Sequence, residues 1–284
     1  MFEYRTLEGV AIETIYKAFT EAFSDYQVKI DLPLWKLQQM LQRRGFIPER
    51  SMGAFKDGAL VGFILNGCRR WDERPTVYDV GTGVIPEYRK KGLTSNIFKK
   101  VLELLRNEGI EQYLLEVIQQ NTAAYELYSK KGFEISRTFS CYKLEKCNFK
   151  PQNVYKVDQV SGFSAGEWDH VKKFWDFEPS WQNSIESVCA LPENFSYSIV
   201  RMDNEIVGYG IVEKKTGDLP QLAVDRNYRH KGIAGSIMSA LVDIAEGDRV
   251  AVLNVDDSSK VTKDFLCELG FEHHVDQYEM IMDL

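Results

Sequence analysis

A block of eleven residues that occurs twice is the feature that most constrains the fold of this chain. Residues 84–94 and residues 224–234 both contain Tyr-Arg, one variable residue, Lys-Gly, an apolar residue and a small residue. A Gly-Phe pair follows each copy, at Gly132 and at Gly270, and the spacing from the block's arginine to this glycine is 43 and 41 residues. Two similar blocks at similar spacing indicate two copies of one domain.

The length of the chain agrees with this duplication. A chain of 284 residues is long enough for two domains that each bury a core. The first domain is predicted at residues 1–147 and the second at residues 153–284, with the boundary in a polar stretch that contains Pro151.

Composition and charge disfavour several classes of protein. With 44% hydrophobic and 27% charged residues, the chain is typical of folded globular proteins. A net charge of −7 argues against nucleic acid as a partner, because that requires a clustered basic face. The apolar runs are too short to span a bilayer, so no membrane partner is expected. Five cysteines without a Cys-x-x-Cys pair favour reduced thiols, no metal and a cytoplasmic location.

Hydrophobic periodicity and turn residues predict the same order of elements in both halves. The first half has a strand at 2–7, helices at 12–24 and 34–44, strands at 51–55, 60–66 and 77–85, a helix at 92–107, a strand at 112–118, a helix at 123–131 and a closing strand pair at 133–146. The second half has a strand at 154–157, helices at 165–177 and 180–190, strands at 197–202, 206–213 and 221–224, a helix at 232–245, a strand at 250–255, a helix at 261–269 and strand structure at 271–282. Gly81 and Gly83 predict a β-bulge or a close backbone approach in the strand before the first block.

Each repeated block is predicted to bind an anion. Residues 89–94 join a strand to a helix, and Gly92 allows the backbone to turn tightly. The first amides of a helix have no partner within the helix, and together with the helix dipole they attract negative charge. Lys90 and Lys91 add positive charge, so a diphosphate is the natural ligand. The same argument applies to residues 229–234.

These residues resemble the GNAT acyltransferase superfamily, whose signature is Arg/Gln-x-x-Gly-x-Gly/Ala at a strand-to-helix junction. A later family block, Asn-x-x-Ala-x-x-Leu-Tyr followed by Gly-Phe, matches residues 121–128 and Gly132-Phe133. The resemblance covers the chain once per half. It implies an α/β (α+β) fold of two tandem GNAT-like domains, each a mixed, mostly antiparallel sheet flanked by helices, whose splayed central strand pair holds acyl-CoA.

The resemblance also implies which residues bind acetyl-CoA. The backbone of Val84 and Ile85 would pair with the pantetheine arm, Asn121 would contact that arm, and Tyr128 would lie near the thioester sulfur. The loop amides of Lys90, Lys91, Gly92, Leu93 and Thr94 would hold the diphosphate, and Arg89 completes the first set of cofactor-binding candidates. The second copy has its own set, which comprises Val224, Arg229, His230, Lys231, Gly232, Ile233 and Ala234.

The two copies depart from the family pattern in different ways. Thr94 stands where the family has Gly or Ala, which keeps the backbone amide and adds a hydroxyl. The second copy keeps Ala234, but counting back from the Gly-Phe pair places Leu266 and Ser259 at the positions of Tyr128 and Asn121. The second domain is therefore predicted to be degenerate, able to hold an anion without the catalytic acid.

Acyl transfer to an amine needs a group that protonates the departing thiolate and a route for the proton of the amine. A tyrosine is neutral at pH 7 and can donate to sulfur, so Tyr128 is the predicted acid. Asp79 and Glu116, on the strands on either side of the first phosphate-loop helix, are the candidate bases, directly or through water. An amine that arrives uncharged at alkaline pH needs neither. Four aromatic residues lie where the family forms its acceptor pocket: Phe19, Phe23, Tyr26 and Trp35.

The resulting hypothesis is an N-acyltransferase, most simply an N-acetyltransferase, that moves an acyl group from acyl-CoA to a primary amine on a small molecule or peptide. The chain is expected to act as a monomer or homodimer. One alternative is a non-catalytic acyl-CoA sensor or scaffold. A second alternative places catalysis in the second domain, whose loop is closer to the family consensus.

Overall fold

The computed structural model describes residues 1–25 and 32–284, and these form two compact units. The first contains Met1–Glu116, Leu127–Ile135 and Met280–Leu284, and the second contains Val117–Glu126 and Ser136–Glu279. The last five residues of the chain therefore belong with its first half. Domain limits of 1–147 and 153–284 stay a prediction, because compact units group residues by contact and not by ancestry.

The elements of the first half follow the predicted order. They are β1 (Glu3–Thr6), α1 (Ile12–Ala22), α2 (Leu34–Arg43), β2 (Met52–Lys56), β3 (Ala59–Trp71), β4 (Arg74–Val84), α3 (Leu93–Asn107), β5 (Gln112–Ile118), α4 (Thr122–Lys130) and β6 (Glu134–Glu145). Strands β1 to β4 are antiparallel neighbours in chain order. The turn between β2 and β3 places Asp57 and Gly58 at φ 51° and 81°, the left-handed backbone that tight hairpins require.

The central strands of the first unit separate. Strand β5 is parallel to β4, but the two pair only over three residues of each strand, from Thr76↔Gln112 to Tyr78↔Leu114. Beyond Tyr78, β4 runs on to Val84 without pairing to β5. The first unit therefore has the splayed strand pair that the family resemblance implies, and the gap lies on the side of the first phosphate loop.

A β-bulge lies in β4 where the two glycines predict one. Leu65 of β3 pairs with Gly81 while Asn66 pairs with Asp79, so Val80 is the extra residue. A Cβ on Gly83 would lie 2.6 Å from the Phe63 ring, which confirms a close approach at the second glycine. Bulges bend a strand and redirect its side chains, and here the bulge sets the direction of Asp79.

The elements of the second half are β7 (Asp158–Val160), α5 (Ala165–Val171), α6 (Ile185–Cys189), β8 (Phe195–Met202), β9 (Glu205–Glu213), β10 (Gln221–Val224), α7 (Ile233–Ile244), β11 (Arg249–Asp256), α8 (Lys260–Glu268) and β12 (Glu272–Asp283). In the second unit, β10, β9, β8 and β7 form one sheet, and β12, β6 and β11 are neighbours in another. Strands β10 and β11 thus belong to different sheets, and the bridge Asp218↔Ala251 lies where they begin to part.

Four predicted elements were wrong in detail. The helix predicted at 180–190 is divided into a 3-10 turn at Trp181–Asn183 and α6, because Ser184 is extended and caps α6. Residues 133–146 form one strand, β6, and not a pair, because no glycine or proline interrupts residues 134–145. Residues 154–157 are not a strand, because the amides of Val154 and Tyr155 donate to Ser236 Oγ at 3.0 and 3.1 Å and not to a neighbouring strand. The helix predicted at 165–177 ends at Val171 and continues as a 3-10 turn to Phe174.

The helix after the first block is oriented by one apolar face. Its buried residues are Leu93, Ile97, Phe98, Val101 and Leu105. This spacing is that of a helix packed on a sheet. No helix in the described part of the chain is both long and apolar enough to cross a membrane.

Candidate functional site

The first phosphate loop has the backbone of an anion site. Lys90 and Gly92 have φ of 60° and 75°, and Gly92 is the N-terminal cap of α3. No side chain caps this end among the described residues, and the Asn96 amide donates to Gly92 O at 3.1 Å, which begins the hydrogen-bond pattern of the helix. The amides that precede Asn96 on α3 are therefore placed to bind an external anion.

The second phosphate loop repeats this backbone. His230 and Gly232 have φ of 58° and 87°, and the Ser236 amide donates to Gly232 O at 3.0 Å at the start of α7. A lysine ammonium also lies over a tyrosine ring in each copy: Lys91 over Tyr88 in the first, and Lys231 over Tyr228 in the second. Two stretches of one chain with different neighbours thus adopt one loop conformation.

The arginine of the first repeated block forms hydrogen bonds with other parts of the protein. Arg89 Nε donates to Val84 O at 3.1 Å, and its terminal nitrogens donate to Ala22 O at 2.7 Å and to the carboxylate of Asp25 at 2.7 and 2.8 Å. These hydrogen bonds lower the pKa of Asp25. The side chain of Arg89 therefore joins the loop to the end of α1, and its contact with a diphosphate stays a prediction.

The second arginine makes the same contacts. Arg229 Nε donates to Val224 O at 3.0 Å, and its other nitrogens bond Phe174 O at 2.8 Å and Asp176 at 2.9 Å. Sequence reasoning missed both aspartates, Asp25 and Asp176. The available signal was that each follows the first helix of its half.

The two residues predicted to move protons are in contact. Tyr128 OH donates to Asp79 Oδ2 at 3.2 Å, and Thr82 Oγ1 donates to the same oxygen at 2.7 Å. Asp79 and Tyr128 are each only 8% exposed. The other carboxylate oxygen, Asp79 Oδ1, is buried and accepts no hydrogen bond from any described residue. A buried oxygen without a donor disfavours the charged carboxylate, in agreement with the raised pKa of Asp79.

Burial controls the protonation of Asp79. Loss of hydration raises the pKa of this carboxyl to about 6, while hydrogen bonds from Thr82, Tyr128 and the Gly81 amide lower it by less. A carboxyl with a pKa close to the working pH is suited to accept and release a proton. Sequence reasoning missed Thr82, since only the bulge brings residues 79 and 82 together.

The ring of Tyr128 is held in an aromatic cluster. Phe98 and Phe133 contact it edge-on, with centroids at 5.9 and 5.7 Å. Phe133 also packs at 5.4 Å on Tyr113, whose hydroxyl donates to Asn66 Oδ1 at 2.6 Å. The hydroxyl of Tyr128 is thus positioned from behind by apolar contacts, as rigid placement of a catalytic group requires.

The structure places Glu116 against a different tyrosine. A hydrogen bond joins Glu116 to Tyr78, and burial, followed by the Glu116 charge, raises the pKa of Tyr78 well above its ordinary value. Arg44 lies beside the same strand and donates to Val80 O at 3.2 Å. Asp79 is therefore the candidate base that contacts Tyr128, and the role of Glu116 stays a prediction.

The other predicted CoA contacts are backbone groups or polar side chains that have local partners. Ile85 N donates to Val61 O at 3.0 Å, and the carbonyl of Val84 accepts from Arg89. Asn121 Oδ1 accepts from the Ala124 amide at 3.2 Å and so caps α4. Their contacts with a pantetheine arm stay a prediction.

Of the four predicted acceptor aromatics, Phe19 forms part of the core. Phe19 packs on Phe23 and Phe63 at 4.7 and 5.7 Å, whereas Trp35 is 46% exposed. Tyr26 lies outside the described residues. No cluster of His, Cys, Asp and Glu in the described part of the chain could hold a metal ion.

The second unit contains a cavity of about 600 Å³ between its parted strands. Its wall includes the loop residues Tyr228, Arg229, His230 and Gly232 at one end, and Trp175 and Leu219 elsewhere. Leu266, at the position of Tyr128, also lines it and is 1% exposed. The second copy thus has room for a ligand, and a leucine replaces the phenol.

The comparisons with known proteins agree with this geometry. A profile described as the Acetyltransferase (GNAT) family matches residues 12–133 and 162–271. A mycothiol acetyltransferase from Thermobispora bispora is 33% identical over 135 residues, which are 45% of this chain and 45% of that protein. The L-amino acid N-acetyltransferase AaaT of Escherichia coli is 27% identical over 112 residues, 39% of this chain and 67% of that protein.

Solved structures also match the chain over both halves. A tandem GNAT protein from the clavulanic acid biosynthesis pathway aligns with a TM-score of 0.74 over 100% of this chain and 98% of that one, at 13% identity, which shows the fold. The chain spans about half the length of the mycothiol acetyltransferases that it matches. Because the family profile covers most of both halves, the chain belongs to the acetyltransferase (GNAT) family, with one copy of the domain in each half.

Proposed function

We propose that this chain is an acyl-CoA-dependent N-acetyltransferase whose first domain carries the reaction. The observation that carries the proposal is the contact between Asp79 and Tyr128 in the same unit as an uncapped phosphate loop and a splayed strand pair. A family fold alone does not imply catalysis, and this contact supplies the acid and base that acetyl transfer needs.

Acetyl-CoA is the proposed donor. The amides after Gly92 and the charges of Lys90 and Lys91 suit its diphosphate. The hydroxyl of Thr94 adds a donor where the family has a small residue. Val84, Ile85 and Asn121 are proposed to hold the pantetheine arm.

The proposed acceptor is a primary amine on a small molecule or a peptide. Named relatives include an L-amino acid N-acetyltransferase, an aminoglycoside N(6′)-acetyltransferase and an N-alpha-acetyltransferase. Asp79 accepts a proton from the amine as nitrogen attacks the thioester carbonyl. Tyr128 then donates to the sulfur as the C–S bond breaks, which avoids release of a free thiolate. A cytoplasmic monomer or homodimer is the proposed form.

The second domain is proposed to hold a CoA-like ligand without turning it over. It keeps the loop and the cavity, but Leu266 replaces the acid and Leu219 stands ten residues before Arg229, where the first copy has Asp79 ten residues before Arg89. The proposed ligand contacts are at Val224 and at residues 229–234.

The test is a screen for CoA release with a polyamine, an aminoglycoside, amino acids and a peptide N-terminus as acceptors. Thermal unfolding with and without acetyl-CoA accompanies it. A ligand at about 100 times its Kd stabilises the native state by about 2.7 kcal/mol, so a clear rise in Tm is expected together with turnover on at least one amine. Absence of binding at millimolar acetyl-CoA overturns the proposal, and binding without turnover on any amine supports the sensor alternative.

Activity is expected to fall in acid with a midpoint near pH 6, because Asp79 accepts a proton only when ionised and its pKa is raised to about 6. The charged and titratable groups that face this carboxyl are Arg44 and the hydroxyls of Tyr78, Tyr113 and Tyr128. Burial raises the pKa of Tyr78 and Tyr113 well above the ordinary value, so these two phenols stay neutral in this range. The measurement is kcat/KM from pH 5 to 8 with an acceptor whose own pKa lies outside that range. Asp79→Asn should lack this acidic limb, and an unchanged limb in that variant would assign it to another group.

A further inference from the structure

Asp79 and Tyr128 form a single hydrogen-bonded pair, so their two proton transfers can be coupled. The inference drawn from this pair rests on the proposed function. A separate acid and base would each exchange protons with solvent after every turnover. Here both groups are only 8% exposed, and Tyr128 OH already donates to Asp79 Oδ2 at 3.2 Å. Each group is thus largely shielded from water and has a direct hydrogen bond to the other.

We propose that Asp79 and Tyr128 are a proton relay that carries the proton of the acceptor amine to the sulfur of the donor. The amine nitrogen forms the C–N bond and loses a proton to Asp79. The C–S bond breaks with its electron pair on sulfur, which takes the phenolic proton of Tyr128. The protonated carboxyl of Asp79 then returns its proton to the phenolate, and both residues regain their starting forms.

The two oxygens of the carboxylate fit these two tasks. Oδ2 accepts from both Tyr128 and Thr82, whereas Oδ1 is buried and has no donor among the described residues. The amine proton is received on Oδ1, which becomes accessible when the bound acceptor moves the side chains that cover it. A turn of the carboxyl about its Cβ–Cγ bond then brings the protonated oxygen to the place of Oδ2, beside the phenolate.

Thr82 acts as a positioning residue in this relay. Its hydroxyl is 2.7 Å from Asp79 Oδ2, and the β-bulge at Val80 brings the two side chains to the same place. By donating to the carboxylate it favours the charged form and holds the oxygen that faces Tyr128. Its removal should therefore change the acidic limb of activity as well as the rate.

The second half of the chain provides an internal comparison. Its loop has the same backbone and the same arginine contacts as the first. At the positions of Asp79 and Tyr128, however, it has Leu219 and Leu266, which are 3% and 1% exposed. Both members of the pair are replaced by apolar side chains, as expected if neither is useful without the other.

The test is a double-mutant cycle on kcat with Asp79→Asn, Tyr128→Phe and the double variant. Independent acid and base groups lose activity multiplicatively, whereas groups that act as a unit do not. The relay predicts that each single variant loses about 10²- to 10⁴-fold, the range of acid–base catalysis. The double variant should then lose no more activity than the less active of the two single variants. A loss close to the product of the two single losses overturns the relay.

Two controls make the cycle decisive. Tyr128→Phe combined with Lys91→Ala should lose kcat/KM multiplicatively, which shows that the assay resolves activities below the single variants. Thr82→Val should move the acidic limb to higher pH, since a donor that lowers the Asp79 pKa is lost, and Thr82→Ser should restore it. An unmoved limb in Thr82→Val contradicts the positioning role. Turnover by the unmodified protein supports the proposed function by itself, so a multiplicative cycle would overturn the relay alone.

Discussion

Replacing Tyr128 with phenylalanine is expected to lower kcat by about 10²- to 10⁴-fold, the usual contribution of a general acid. The change removes one hydroxyl from a ring that Phe98 and Phe133 hold in place. The ring packing should survive. A general acid acts on the transition state and not on the bound substrate, so the Kd for acetyl-CoA should stay within about twofold. The measurements are steady-state kinetics and calorimetric titration with acetyl-CoA.

The matched control for this variant is Tyr125→Phe, one turn earlier on α4. Tyr125 is half-buried, and its ring lies 5.4 Å from that of Tyr278, so the change also removes a single hydroxyl from a packed aromatic residue. We expect kcat to remain within about twofold of the unmodified protein, as for a surface change away from special features. Equal losses in both variants would show that Tyr128 acts through packing and would remove it as the acid.

The second large effect is expected at Gly92. Its φ of 75° is a backbone that L-residues adopt at a cost of about 1–2 kcal/mol, and a β-branched side chain is a severe outlier there. Gly92→Val should therefore displace the loop amides and raise the Kd for acetyl-CoA on the order of tenfold or more, since 1.4 kcal/mol is a factor of ten. A Cβ at this position meets no atom within 4 Å, so the effect is conformational and not a clash.

Two variants separate this explanation from others. Gly92→Asn should retain most of the affinity, because asparagine tolerates left-handed backbone. Gly232→Val changes the equivalent glycine, whose φ is 87°, and should leave turnover nearly unchanged if the first domain is catalytic. Loss of turnover in Gly232→Val with retention in Gly92→Val would assign catalysis to the second domain.

Much of the fold was predictable because its signals are local. The repeated block with its Gly-Phe pair indicated two copies of one domain, and a family profile that matches both halves confirms it. Strand β5 at Gln112–Ile118 and helix α3 at Leu93–Asn107 lie where periodicity and glycine boundaries predict them. Residues 154–157 were misassigned because their amides bond a serine that is about 80 positions away in sequence.

Part of the candidate site was likewise predictable from the sequence, and part was visible only in the tertiary structure. The sequence alone determined the two loops, the tyrosine of the later block and the loss of that tyrosine in the second half, since each is a residue type at a fixed spacing. Only the tertiary structure showed that Arg89 donates to Asp25, and that Asp79 and Tyr128, 49 positions apart, share a hydrogen bond. The physical reason is that spacing reports backbone conformation, whereas the pKa of a carboxyl and the partner of a hydroxyl depend on which distant segments exclude water around them.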